Sequence, residues 1–327
     1  MTAYLARRCA YMIVSLWIMS ILAFIVIQLP PGDWLTHHIQ QLQLTGGTGD
    51  EALAATLRKQ YGLDQPLHRQ YLKWVGGFVH GDFGMSFSWQ KTVTEVIGER
   101  LALTVIISLS TLLFTYVVAI PIGIYSATHQ YSFGDYTFTV MGFAGLAIPN
   151  FMLALIIMYM LFKYFGLSVG GLFSPEFIDA PWSVARVGNL LTHIWAPLIV
   201  VGTAGTAELI RVMRAVLLDE LRKQYVITAR SKGLAESKLL FRYPVRLALN
   251  PIVSTVGWQL PRIVSGATIT AVVLALPTIG PLLLGALMEQ DMFLAGTMVL
   301  FLGSLTLIGT FLSDILLVMV DPRIRFE

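Results

Sequence analysis

The sequence has little charge, a single cysteine and no recognisable nucleotide-binding motif. Only 13 % of its 327 residues are charged, whereas a soluble globular domain carries roughly 25 %. Cys9 is the one cysteine, which excludes an internal disulfide framework and a thiolate metal site. Neither G-x-x-x-x-G-K-[ST] nor G-x-G-x-x-G occurs, so we do not expect this chain to bind the phosphates of ATP itself. No catalytic triad or carboxylate dyad is present either, and we expect no enzyme activity, cofactor or metal in this chain.

Apolar residues dominate instead, at 56 % of the chain with a mean hydropathy of +0.71. A membrane-spanning helix needs about 20 mostly apolar residues. The uncharged windows of that length are 10–29, 101–128, 136–162, 187–207 and 292–313. A further segment, 247–288, is interrupted only by Arg262. We therefore predict an all-α polytopic membrane protein with six transmembrane helices, including one at about 248–274 that is followed by a re-entrant or surface turn at 276–291.

The predicted spans divide the chain into four parts. These are an N-terminal transmembrane helix (1–29), an extracytoplasmic segment (30–99), a core domain (100–320) and a tail (321–327). Lys and Arg collect on the cytoplasmic side of membrane proteins. Arg7 and Arg8, the basic segment 208–246, and Arg323 and Arg325 all fall on one side of six spans, so we predict that both termini are cytoplasmic. No small-x-small cleavage signal follows the first apolar run, which we interpret as a retained span.

The extracytoplasmic segment is long enough to have structure of its own. Apolar spacing predicts one helix at 50–61 and another at 66–79, with Pro66 at the start of the second. Glycine-containing turns interrupt the segment, as at 81–84. Long loops with internal helices are usually functional. We leave two interpretations open: a docking or gating element, or a cap that only covers the bundle.

The basic segment 208–246 holds nine of the 22 Lys and Arg residues of the chain. Leu217, Leu221 and Tyr225 lie four apart, which predicts an amphipathic helix that continues out of the fourth span and ends at Gly233. A second short helix is expected at 234–240, after which Pro244 turns the chain back. Such a pair of helices offers a rigid grip to a soluble partner. The alternative is a basic loop that only orients the protein and contacts anionic lipid.

The stretch YVITARSKGL at 225–234 resembles the EAA loop of type I ABC importer permeases, in the variant found in the dipeptide, oligopeptide and nickel permease family. Further landmarks of that family follow in order along the chain. They are YGLDQP (61–66), QYLKW (70–74), GDFGMS (81–86), IPNF (148–151), NP (250–251) and DPRIR (321–325). The long segment after the first span resembles that of the B-type subunit. Ala271, where a Glu is frequent, and Thr278, where a Gly is frequent, depart from the family pattern.

This resemblance implies a MetI-like permease fold in the bacterial inner membrane. It implies that the chain forms a heterodimer with a second, homologous permease subunit. Two separate ABC ATPase subunits would bind ATP and Mg, and an extracytoplasmic solute-binding protein would deliver peptides or peptide-like solutes. No nucleic acid is implied, which agrees with the small net charge of +3. The resemblance and the predicted helices place the coupling contact on Thr228, Ala229, Arg230, Lys232, Gly233, Leu234, Glu236, Ser237 and Lys238, with Leu234 and Leu239 as apolar anchors.

Arg262 is the one charged residue within the predicted spans. An intramembrane Arg suggests a functional site, and we assign Trp258, Gln259 and Arg262 to the substrate pathway. Two alternatives remain for Arg262: it reaches the membrane interface, or it pairs with a partner subunit. His193 is expected to anchor the outer end of a span, and His37-His38 to be a chance pair.

Two other function classes remain open at this point. A stand-alone secondary carrier or channel would move solute without a partner, although the scarcity of intramembrane ionisable groups disfavours a proton-coupled carrier. A structural subunit of a membrane enzyme is the third hypothesis, and it is disfavoured because no intramembrane His pairs are present. The solute itself is not predicted: dipeptides, oligopeptides, nickel chelates and opines all fit.

Overall fold

The computed structural model describes residues 2–28, 59 and 64–320, and this part of the chain is almost entirely helical. The predicted helix at 50–61, His37-His38 and the tail at 321–327 lie outside the described residues, apart from Lys59. The helices are α1 (Thr2–Gln28), α2 (Leu67–Val79), α3 (Val93–Thr128), α4 (Phe133–Ala147), α5 (Asn150–Phe165), α6 (Val184–His193), α7 (Trp195–Leu221), α8 (Gln224–Ser231), α9 (Glu236–Arg242), α10 (Pro244–Ser254), α11 (Val256–Gly266), α12 (Thr268–Val273), α13 (Ile279–Met288) and α14 (Met292–Val320). A two-stranded antiparallel hairpin, β1 (Met85–Ser86) and β2 (Lys91–Thr92), and a 3-10 turn at Pro175–Phe177 complete the described elements.

Four of these helices, α1, α3, α7 and α14, are long and apolar enough to cross a membrane. The count among the described residues rises to five if α4 and α5 together form one span. The all-α polytopic class is confirmed. The difference from six predicted spans arises in two places, where the sequence windows are not single straight helices.

The window 136–162 is broken at Pro149, and the helices on either side of the break are bent by 105°. Proline disfavours the α conformation in the residue before it. Ile148 accordingly has an extended backbone, with φ −88° and ψ 120°, and α5 begins after Pro149. The prediction of one span here is corrected to two helices, which form either a broken span or a re-entrant loop.

The window 248–274 is divided into α10, α11 and α12, none longer than eleven residues. At the first break the carbonyl of Ile252 accepts hydrogen bonds from the Tyr116 hydroxyl (3.2 Å) and the Thr255 hydroxyl (2.7 Å). The Ser313 hydroxyl donates to the next two carbonyls. Side chains thus satisfy carbonyls that a continuous helix would have paired internally, which is what makes a break tolerable inside a membrane. The segment predicted as a span at about 248–274 therefore consists of three helices and not of a single one.

The described chain falls into two compact units. The larger unit contains residues 104–277 and the described residues from 305 onward. Its core packs α7 against α4, α5 and α10. The buried side chains at its centre are Ala119, Ala127, Leu209, Met213, Leu217, Val245, Ala248 and Ile252. Small residues permit close helix approach, because a Cβ on Gly145 would lie 2.7 Å from Cγ2 of Thr203 on α7.

The smaller unit contains the described residues up to 103 and residues 278–304. Helix α2 confirms the prediction for 66–79, and Pro66 directly precedes it. Trp74 of α2 is 4 % exposed and packs on Gly296, where an added Cβ would meet the indole ring at 2.7 Å. The turn at 81–84 is confirmed as well, since both Gly81 and Gly84 have positive φ.

A buried carboxylate fixes the hairpin of the smaller unit. Asp291, which precedes α14, accepts hydrogen bonds from the Ser86 hydroxyl (2.5 Å) and the Ser88 amide (3.1 Å). It also accepts the Leu294 amide at the start of α14 (3.2 Å). Burial raises the pKa of the Asp291 carboxyl despite these donors. The ionised group therefore opposes folding at neutral pH by its desolvation.

This raised pKa predicts that the hairpin is held more firmly in mild acid than at pH 7. The folded state binds a proton more readily than the unfolded state, so stability rises as pH falls from neutral toward the raised pKa. Amide hydrogen exchange of residues 85–92, corrected for intrinsic rates, should show this gain in the wild type and not in Asp291→Asn. Glu95→Gln, which removes an exposed carboxyl from α3, serves as the control and should retain the gain. A hairpin whose opening is independent of pH in the wild type would contradict the assignment.

Candidate functional site

The elbow, defined here as residues 224–242, consists of α8 and α9. The prediction of one helix from the fourth span to Gly233 is corrected, because α7 ends at Leu221 and α8 begins at Gln224. The Tyr225 hydroxyl donates to Glu220 Oε2 (2.6 Å) and so ties the new helix to the end of α7. Desolvation and the neighbouring carboxylate raise the pKa of Tyr225, which keeps this phenol protonated. α7 therefore continues well into the basic segment, through residue 221.

The turn between α8 and α9 is a Schellman motif centred on Gly233. The Leu234 amide donates to the Ala229 carbonyl (3.4 Å), and the Gly233 amide donates to the Arg230 carbonyl (3.0 Å). Gly233 has φ +77°, the left-handed conformation that this motif requires. The predicted helix end at Gly233 agrees with this geometry. The second helix, predicted at 234–240, is α9 at Glu236–Arg242.

An ion pair closes the turn on its exposed side. Arg230 donates from Nε to Glu236 Oε1 (2.5 Å) and from Nη2 to Glu236 Oε2 (3.0 Å). The hydrogen bonds from Arg230 hold the pKa of Glu236 below its usual range. Both residues are fully solvated, so the pair contributes mainly geometry to the turn and little stability.

Each of the two helices of the elbow has one fully buried side chain. Val226 of α8 and Leu239 of α9 are both 0 % exposed. Leu240 packs against the core cluster of α7 and α10. Leu239 is therefore unavailable to a partner, and its prediction as an apolar docking anchor was wrong.

The predicted coupling residues are all at least partly exposed. Ala229 and Leu234 are half-buried, while the others are exposed; these are Thr228, Arg230, Lys232, Gly233, Glu236, Ser237 and Lys238. Sequence reasoning missed Ile227 and Phe241, which are 46 % and 61 % exposed on the same two helices. Ile227 follows the buried Val226 by one residue, and Phe241 follows the buried Leu239 by two. On a helix, positions so placed lie away from the buried face, and this spacing could have identified them as exposed. The elbow thus presents two apolar side chains among charged ones.

A buried ion pair joins α4 to α7, the helix that leads into the elbow. Arg214 donates from Nε to Asp135 Oδ1 and from Nη2 to Asp135 Oδ2, both at 2.8 Å. Asp135 lies in the first turn of α4 and also accepts the Tyr131 amide (3.0 Å). Its side chain is 3 % exposed and that of Arg214 is 26 % exposed. This bidentate ion pair fixes the start of α4 against the C-terminal half of α7.

The predicted substrate-pathway residues lie on α11. Gln259 is 2 % exposed, and its side-chain oxygen would lie 3.3 Å from a Cβ on Gly205 of α7. Arg262 donates from Nη1 to Glu208 Oε2 of α7 (2.6 Å). The view of Arg262 as the one intramembrane charge was wrong, because α7 also carries Glu208, Arg211 and Arg214 within its candidate span. His193 donates from Nδ1 to the Asn189 carbonyl (2.8 Å), near the end of α6.

Comparison with known sequences places this architecture in a family. Residues 119–326 match the family described as binding-protein-dependent transport system inner membrane component. The N-terminal component of such membrane subunits matches residues 1–110. The chain belongs to this family. It is a multi-pass inner-membrane permease with the MetI-like fold, and the resemblance to type I ABC importer permeases of the peptide class is confirmed.

Individual relatives align over the full length. The oligopeptide transport system permease protein AppB of Bacillus subtilis is 33 % identical, covering 100 % of both chains. The inner membrane ABC transporter permease protein YejB of Escherichia coli is 30 % identical, again over 100 % of each. The di/tripeptide transport system permease protein DppB of Pseudomonas aeruginosa is 28 % identical with the same coverage.

Gly233→Val should loosen the elbow. A left-handed backbone costs an L-residue about 1–2 kcal/mol, and a β-branched side chain is the least tolerant of it. Gly233→Asn should cost less, because Asn tolerates this conformation. Hydrogen exchange of residues 229–242 measures the difference. Gly188→Val, at an exposed helical site with no atom within 4 Å of the added Cβ, is the control. Equal exchange in the Val and Asn variants would contradict the assignment of the turn.

Asp135→Asn should destabilise the larger unit by about 3 kcal/mol, because it leaves a partly buried guanidinium without its carboxylate. The exchange Asp135→Arg with Arg214→Asp should not restore stability, since an Arg at position 135 has no acceptor for the Tyr131 amide. The unfolding free energy in mixed micelles is the measurement. Glu236→Gln, which breaks the fully solvated pair, provides the comparison. A loss for Asp135→Asn no greater than that for Glu236→Gln would overturn this role.

Proposed function

We propose that this chain is a transmembrane permease subunit of an ATP-driven importer for peptides or peptide-like solutes. It forms half of the translocation pathway, and a second, homologous permease subunit forms the other half. Two ABC ATPase subunits bind ATP and Mg and hydrolyse the nucleotide. A solute-binding protein on the outer face delivers the solute. The names of the full-length relatives, which are permease proteins for oligopeptides or di- and tripeptides, support the solute class.

The elbow is the observation that carries this proposal. It is a compact segment closed by a Schellman turn and an ion pair, and Leu240 packs it against the core cluster of α7 and α10. A segment built in this way transmits displacement, whereas a loose basic loop would absorb it. Its exposed surface combines Ile227 and Phe241 with charged side chains, which suits a soluble protein partner better than lipid headgroups alone. We therefore assign the nine predicted coupling residues and these two apolar residues to the ATPase contact.

The orientation follows from the same assignment. If the elbow contacts soluble ATPases, it lies on the cytoplasmic face, and the positive-inside bias then places both termini there as well. The extracytoplasmic segment lies on the opposite face, where the binding protein docks. The permease chain itself needs no cofactor, because the energy enters through the elbow. Trp258, Gln259 and Arg262 remain our assignment for the substrate pathway.

Reconstitution tests this function directly. Liposomes that contain this chain, the second permease and both ATPases, with the binding protein outside, should accumulate a radiolabelled oligopeptide only when ATP is inside. Phe241→Ser should reduce both ATPase co-purification and uptake at least tenfold, because it removes a large exposed apolar side chain from the proposed docking surface. Val184→Ser, which alters an exposed apolar residue on α6 (91 % exposed), is the matched control and should change neither.

Two results would contradict the proposal. Solute flux through this chain alone, without ATPase or binding protein, would favour the stand-alone carrier or channel. Wild-type ATPase binding and uptake in Phe241→Ser, together with Gly233→Val, would exclude the elbow as the coupling contact.

A further inference from the structure

An ion pair lies where the bilayer is most hostile to charge. Glu208 is the middle residue of α7, thirteen positions from Trp195 and thirteen from Leu221. At 1.5 Å per residue it lies about 20 Å from either end of the helix. The hydrocarbon core is about 30 Å thick. If residues 195–221 cross the core, as the length and composition of α7 allow, Glu208 lies inside the core.

The pair is also accessible. Arg262 contacts Glu208 at 2.6 Å, and the two side chains are 56 % and 26 % exposed, respectively. Charges at this depth are not tolerated against lipid tails, and they face either protein or a water-filled cavity. The surface that carries the pair is consequently turned toward the inside of the assembled transporter.

A buried amide and a glycine lie one helical turn away. Gln259 precedes Arg262 by three residues on α11, and Gly205 precedes Glu208 by three residues on α7. The same two helices therefore contact each other again one turn away from the ion pair. Gln259 rests on Gly205, where a Cβ would meet its side-chain oxygen at 3.3 Å. Its amide nitrogen is buried and has no hydrogen-bond partner among the described residues. A donor without a partner beside an accessible ion pair is a polar site that a ligand can complete.

We propose that Glu208, Arg262 and Gln259 form a site for zwitterionic solutes with a free ammonium and a free carboxylate, such as short unblocked peptides. The solute carboxylate binds Arg262, its ammonium binds Glu208, and the Gln259 amide donates to a solute carbonyl. The inference rests on the proposed import of peptide-like solutes. The physical basis is that the ion pair between Glu208 and Arg262 is exchanged for two ion pairs with the solute. Neither of these two side chains is then left without a counter-ion.

The exchange of ion pairs also explains how the site can release the solute after binding it. When the solute leaves, Glu208 and Arg262 re-form their own contact, which competes with the solute for both charges. A site that carried only one of these charges would hold a zwitterion by one end and leave its other end unpaired. Glu208, at the centre of the helix that leads into the elbow, is placed so that movement of the elbow bears on the site.

The test uses the reconstituted importer with trialanine, N-acetyl-trialanine and trialanine amide, each at a concentration that saturates the binding protein. In Arg262→Gln, uptake of trialanine should fall at least tenfold relative to wild type, whereas uptake of the amide should change less than twofold. In Glu208→Gln, trialanine should again fall at least tenfold, and the N-acetyl peptide should be spared. The double variant Glu208→Gln/Arg262→Gln, which removes both charges of the pair, should assemble normally and lose the preference for free termini.

The control variants are Arg262→Lys and Glu208→Asp, which keep the charges and should keep the order of preference. The contrary result is a parallel fall in the uptake of all three peptides in both single variants, with parallel recovery in the charge-exchanged variant Glu208→Arg/Arg262→Glu. That result would show that the ion pair has only a structural role and would overturn the proposal. Loss of the second permease subunit from the purified complex in the double variant would show a subunit contact and also overturn it. If the wild-type importer moves none of the peptides, it is the proposed function that fails, and that outcome is distinguished by the wild-type arm alone.

Discussion

In the hydrocarbon core of a bilayer a peptide group finds no water, so every carbonyl, amide and charge must be satisfied by the protein itself. The larger unit meets this constraint at one of the places where its helices are interrupted. At the break between α10 and α11, hydroxyls of Tyr116, Thr255 and Ser313 bond to the carbonyls that lose their helical partners. Charges follow the same rule, since Arg214 is paired with Asp135 and Arg262 with Glu208. The helix bundle can be irregular at these places because the polar groups there are paired within the protein.

Sequence reasoning identified the elements whose signals are local. The spacing of apolar residues and Pro66 predicted α2, and Gly233 marked the turn of the elbow, because both signals act over a few residues. The end of α7 was missed because the apolar stripe of Leu217, Leu221 and Tyr225 continues across a break that depends on the contact from Tyr225 to Glu220. The partner of Arg262 was missed for a related reason. The fourth window was ended at its first charged residue, which is Glu208 itself, although charge does not terminate a helix when a partner is available across the bundle.

The elbow and the intramembrane ion pair are linked through one continuous helix. α7 carries Glu208 at its centre and ends three residues before α8 begins, while Arg262 lies on α11, which follows α10 along the chain. α10 packs on both α7 and α9. A force on the elbow therefore reaches both members of the pair through helices that share the core of Leu209, Met213, Leu217 and Ile252. This connection fits the proposed function, in which docking of the ATPases on the elbow must alter access to the proposed solute site on α7 and α11.

The sharp bend at Pro149 has its own consequence for how this subunit is seated among its neighbours. α4 and α5 contain 15 and 16 residues, respectively, and each is about 22–24 Å long, too short to traverse the oily layer alone. Where they meet, the closing turn of one and the opening turn of the other lie outside the regular helical ladder. Bare main chain of this kind is incompatible with acyl chains. If the corner lies within the hydrocarbon layer, protein or water beside it must supply the missing hydrogen bonds.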